Sequence, residues 1–155
     1  MSTPRTPDAA EQQQALADAV AAEHAAVFAY GVVDAHASPQ RQAWVTAVSA
    51  AHRARRDATS EALRATGATP PHAAAGYTLP VAVNDPITAA ELGVRVETET
   101  AVAWRAVLER SAPDASATGL RATAAAALTD CAVRAAYWRA ALTTNPVTTA
   151  FPGQP

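Results

Sequence analysis

GATPPHAAAGYTLPVAVN, residues 67–84, carries three prolines and two glycines in eighteen residues and has no helical period, yet it separates two long helix-forming halves of the chain. Connections between neighbouring helices in bundles usually take 2–8 residues, so this one is too long for a hairpin loop. Fully extended, it reaches roughly 55–60 Å. A helix of about 27–30 residues is roughly 40 Å long at ~1.5 Å per residue. The stretch can therefore run the whole length of a bundle. That predicts an all-α, antiparallel four-helix bundle in which two helical hairpins are joined by a long crossover between helices two and three.

The flanking sequence supplies the four helices. The first is expected over about 7–37, where Leu16, Val20, Glu23, Val27 and Tyr30 recur at spacings of three and four. Ser38-Pro39 breaks that pattern with an N-cap residue followed by the residue best tolerated at a first helical position. The second helix is expected over 39–66, with Trp44, Val48, His52, Arg55, Thr59 and Leu63 on one stripe and Gly67 as its terminator. Asp85-Pro86 repeats the cap-then-proline signal. The third helix is expected over 85–111, carrying Ile87, Val94, Glu97, Ala101, Trp104 and Leu108 until Pro113 interrupts it. Asp114 or Ser116 can cap the fourth, over 114–144, with Leu120, Ala124, Ala127, Cys131, Trp138 and Leu142 on one side. Residues 1–145 thus read as one domain and 146–155 as a tail.

Composition narrows the functional classes. A net charge of −2 with 17% charged residues gives no basic field for nucleic acid. Residues 1–10 contain no apolar run of signal-peptide or membrane-span length. One cysteine, Cys131, excludes an internal disulfide framework and suits a reducing compartment, so a cytoplasmic protein is expected. Alanine, the best helix former, dominates the apolar half of the sequence. The few large side chains, Trp44, Trp104 and Trp138 among them, should then mark where helices meet.

One polar layer interrupts these apolar faces. Counted from the turn near Ser38, Glu23 lies about 15 residues back and His52 about 14 forward. Counted from the turn near Pro113, Glu97 and Asp130 lie about 16 and 17 residues away. The heights agree within a turn. Three carboxylates and an imidazole, one per helix, are therefore expected to converge near the middle of the bundle.

Several segments, AAEHAAVFAYG (21–31), AHRARRDA (51–58), the proline-rich crossover and VRVETETAVAWRA (94–106), resemble an alanine-rich, ferritin-like domain family of unknown function. The resemblance runs from Glu11 to about Trp138. It implies a ferritin-like bundle and a homodimer, and no established reaction. In ferritin-like di-iron proteins two helices give one Glu each and the other two give Glu-x-x-His. Glu23 and Glu97 match the single carboxylates. Helix two has Ser49 where the glutamate would stand, three residues before His52, and helix four has Val133 where the histidine would stand, three after Asp130. Two of six ligands are missing.

Buried carboxylates need a neutralising partner. Arg134 lies one turn beyond Asp130, and Arg55 and Arg56 lie one turn beyond His52, so arginine is favoured over metal. The expected protein is a non-catalytic homodimeric module with a degenerate di-iron site and no cofactor. The competing expectation is an iron- or manganese-binding oxidoreductase or iron-handling protein using Glu23, His52, Glu97 and Asp130. A small-molecule cleft among the alanines is a third reading, its ligand unidentified.

Other candidates read more plainly. His24 points about 100° away from Glu23 and is expected at the surface or a dimer contact. His36, His72 and Glu99 are expected to be solvated. The run from His52 to Asp57 is divided by helical geometry between core and water, which removes it as a nucleic-acid patch. Cys131 reads as a buried inert thiol. Tyr77-Thr78-Leu79-Pro80 is expected to cover a groove or join a dimer interface, the second being preferred.

Overall fold

The computed structural model describes residues 8–113 and 118–155, which contain four α-helices and no strand. Helix α1 spans Ala9–His36 and opens with a capping box between Asp8 and Glu11. Helix α2 spans Gln42–Ala65, α3 spans Pro86–Arg110 and α4 spans Leu120–Ala141. Ser38-Pro39 starts not α2 itself but a single 3₁₀ turn, Pro39–Arg41, that leads into it. Asp85 caps α3 as the sequence suggests, its side chain accepting from the Thr88 amide, and Pro86 takes the first helical position. Gly67, at φ +86°, follows the end of α2. The caps proposed for the fourth helix, Asp114 and Ser116, lie outside the described residues, and α4 is preceded by Gly119.

Two apolar clusters fix the directions of the helices. One gathers Tyr30 and Val33 of α1 with Val45 of α2, Leu92 of α3 and Trp138 of α4. The other gathers Leu16, Leu63, Trp104 and Ala124. The C-terminal half of α1 thus meets the N-terminal halves of α2 and α3 and the C-terminal half of α4. Both hairpins are antiparallel, and the crossover carries the chain from one end of the bundle to the other. It runs beside α1, where Pro71 accepts a hydrogen bond from His24 and Tyr77 packs on Phe28 at 5.1 Å. Residues 146–155, read as a tail, fold back onto the bundle. Arg105 donates to the Pro152 carbonyl, Arg139 donates to the Val147 carbonyl, and Gly153 is buried against Ala101 and Arg105.

The four seams differ in width. Helix α1 packs on α2 and α3, and α3 packs on α4, whereas no Cα of α2 comes within 8 Å of one in α4. In the α3–α4 seam Gly93 lies against Trp138, and a Cβ there would collide with the indole ring. Across the wide seam, long side chains make the contact. Trp44 stacks on Tyr137 at 3.8 Å and Arg55 reaches Asp130. By length and composition α1 could cross a membrane, but it holds Glu23 fully buried inside this bundle and packs as a core helix.

Candidate functional site

Between the two apolar clusters lies a layer of charged side chains. Helix α1 contributes Glu23, α2 contributes His52 and α3 contributes Glu97, and all three are 0% exposed. Each sits on the stripe of its helix that packs inward, so burial of the neighbouring Val20, Val48 and Ala101 carries the polar group in with it.

His52 stands between the two carboxylates. Its Nδ1 is 2.6 Å from Glu23 Oε2 and its Nε2 is 3.1 Å from Glu97 Oε1. An ionised carboxylate can only accept, so with both carboxylates ionised both ring nitrogens donate and the ring is an imidazolium. Burial pulls the His52 pKa down, but the two carboxylates more than offset it and the net shift is upward. Glu23 is the counterpart. Burial pushes its pKa up, and His52, Arg55 and the Trp104 indole outweigh that and leave it lowered.

Two aromatic donors complete the layer. Trp104 Nε1–H donates to Glu23 Oε1 at 2.7 Å. Tyr30 O–H donates to Glu97 Oε1 at 2.5 Å and accepts from Trp138 Nε1 at 3.0 Å. Burial and the Glu97 charge raise the Tyr30 phenol well above its usual range, which keeps it a donor. Both aromatics read from sequence as apolar packing residues. The available signal was position: Tyr30 lies two turns from Glu23 and Trp104 two turns from Glu97, on the same stripes.

The arginines divide differently from expectation. Arg55 Nη2 donates to Asp130 Oδ2 at 2.6 Å, and Nη1 lies 3.4 Å from Glu23 Oε1. Arg134 reaches Asp130 only at 3.8 Å, an ion pair too long for a hydrogen bond. Arg56 turns outward to its neighbour Asp57 and takes no part in the layer. Asp130 is itself a correction, since its side chain is 53% exposed and sits at the rim. The inward position of α4 at this height belongs to Cys131, which is 0% exposed, and Asp130 lies a helical step of about 100° away. Burial, followed by the Glu97 charge, raises the Cys131 thiol well above its usual range, so it is no nucleophile. His24 is tied to the crossover and His36 to the Val32 carbonyl, while His72 and Glu99 are exposed.

The donor set decides how well a di-metal centre fits. A metal-bound histidine must offer a nitrogen lone pair, and His52 has none free. Of the four oxygens of Glu23 and Glu97, three accept hydrogen bonds; only Glu97 Oε2 is buried without a partner among the described residues. Among the described residues no group of three or more His, Cys, Asp or Glu is placed to hold a metal ion. The residues present do not fit a di-iron centre.

This arrangement makes stability depend on pH from both sides. His52, with its folded pKa raised above 6.5, contributes fully below that value and loses its contribution as pH rises through the folded pKa. Glu23, lowered from 4.5, contributes fully above 4.5 and loses it as pH falls through its folded value. Both contributions are complete between the two reference values. The expected denaturation profile has its maximum in that mildly acidic window, with a decline toward alkaline pH that His52→Gln abolishes. An unchanged alkaline limb in that variant contradicts the assignment.

Residues 15–155 match the family described as "Domain of unknown function (DUF4439)". Among solved structures, the chain is similar to a conserved hypothetical protein, rv2844, from Mycobacterium tuberculosis, at 41% identity and a TM-score of 0.79; the match covers 87% of this chain and 99% of that one. No curated protein matches.

Proposed function

We propose a function from the central layer, because the chain belongs to the DUF4439 family, whose domain is of unknown function. The reading is a ferritin-like, non-catalytic bundle in which a hydrogen-bonded ion-pair layer stands where a di-metal centre would lie. One observation carries it: the two ring nitrogens of His52 lie 2.6 and 3.1 Å from carboxylate oxygens of Glu23 and Glu97, a geometry that suits a ring donating through both. A group in that state orders three helices at one register and leaves no lone pair for metal or base chemistry. Arg55 extends the network to α4, across the widest seam of the bundle.

The protein is proposed to act as a homodimer in the cytoplasm. Support for a second copy comes from the outer face of α4, where Val133 is 63% exposed. Its role is that of a binding or scaffolding module rather than an oxidoreductase. Protein purified from cells grown with added iron and manganese is expected to carry far less than one metal ion per chain by elemental analysis. Stoichiometric iron or manganese, lost on His52→Ala, overturns the reading.

A further inference from the structure

The chain has a second feature that flanks the ion-pair layer, a slot of about 180 Å³ between α1 and α3, roofed by the crossover; Ala22, Ala26, Val96 and Thr100 of its lining neighbour Glu23 and Glu97 along their helices. Its floor is made by small residues of α1, including Ala22, Ala25 and Ala29, and its roof by Tyr77, Leu79 and Pro80. Part of the slot opens to the surface, so a small ligand has a way in. A cavity of roughly 150 Å³ lined by apolar side chains is large enough for benzene.

Two polar groups give the slot a chemical preference. Thr100, 2% exposed, lines it. Thr46, Thr59, Thr98 and Thr129 each give their hydroxyl proton to a carbonyl one turn back in their helix. The Thr100 hydroxyl makes no such bond among the described residues, which leaves it free to pair with a ligand in the slot. At the mouth stands Glu99, exposed and without an ion-pair partner among the described residues. Its charge favours a cation. Phe28 and Tyr77, tilted against each other at 5.1 Å, add aromatic surface to the wall.

We propose that this slot binds a small aromatic amine, its ring lodged between α1 and the crossover and its ammonium group held by Glu99 and Thr100. The ring fits the apolar volume. The ammonium donates to the carboxylate and to the otherwise unused hydroxyl oxygen. The proposed contacts use none of the side chains of the ion-pair layer and no metal.

The test is a titration of the full chain with phenethylamine, and with hydrocinnamate and toluene as anionic and neutral counterparts, read by calorimetry and by thermal shift. Saturable binding of the amine with a raised Tm is expected, with hydrocinnamate at least about ten-fold weaker. Glu99→Gln is expected to weaken the amine about two- to five-fold, the worth of a partly exposed ion pair, and to leave toluene unchanged. Thr100→Val, close in shape, is expected to weaken the amine about five-fold. Ala25→Leu, which fills the slot from a half-buried position, is expected to abolish binding while the chain stays folded. Equal binding of amine and carboxylate, or no saturable binding of the amine, overturns the proposal. So does an Ala25→Leu variant that changes the oligomeric state but not amine binding, which makes the slot an interface between copies.

Discussion

Replacing His52 with alanine is expected to lower the unfolding free energy by about 3–5 kcal/mol, the cost of breaking a buried ion pair by removing one partner. Two carboxylates with 0% exposure lose their shared cation, and the imidazole leaves a cavity at the contact of α1, α2 and α3. For a chain of this size the midpoint of thermal unfolding should drop by roughly 6–20 °C. Chemical denaturation at pH 6 is the measurement. His52→Gln should recover part of the loss, since its amide can still donate to a carboxylate, whereas equal stability of His52→Ala and the parent chain removes the layer as a stabilising element.

The second large effect is expected at Arg55. Its side chain is only 12% exposed, and the guanidinium holds both Asp130 and Glu23 and lies over the Trp104 ring at 5.9 Å. Arg55→Met keeps much of the packed length but removes the charge, and should cost about 2–3 kcal/mol, since Glu23 keeps only His52 and Trp104. Arg56→Ala, whose partner is its own exposed neighbour Asp57, should stay within about 0.5 kcal/mol. Asp130→Asn should cost no more than about 1 kcal/mol because that carboxylate is half in water. Denaturant titrations of the three variants give the order directly. A loss at Arg56 equal to that at Arg55 contradicts the geometry.

Much of the bundle was legible in the sequence because its punctuation is local. Asp85 and Gly67 act through their own backbone neighbours, and the proline-rich stretch 67–84 declares its length. Counting residues from the turns placed Glu23, His52 and Glu97 at one height, since helical rise is uniform. What escaped depends on the spacing between helices. Arg55 and Arg134 both follow a layer residue by one turn, and only the width of the α2–α4 seam decides that Arg55 spans it. The same width leaves Asp130 at the rim and gives Cys131 the inward position. Trp104 and Tyr30 were legible as buried bodies, but their polar tips find Glu23 and Glu97 only after the helices have packed.

The account turns on the state of one ring, and ¹⁵N-resolved NMR of the His52 side chain at pH 6, below the raised pKa, measures it. The expected spectrum has both ring nitrogens protonated, each with a bonded proton shifted downfield by its carboxylate. A His52 ring with one unprotonated nitrogen, or with a nitrogen bound to metal, contradicts the account.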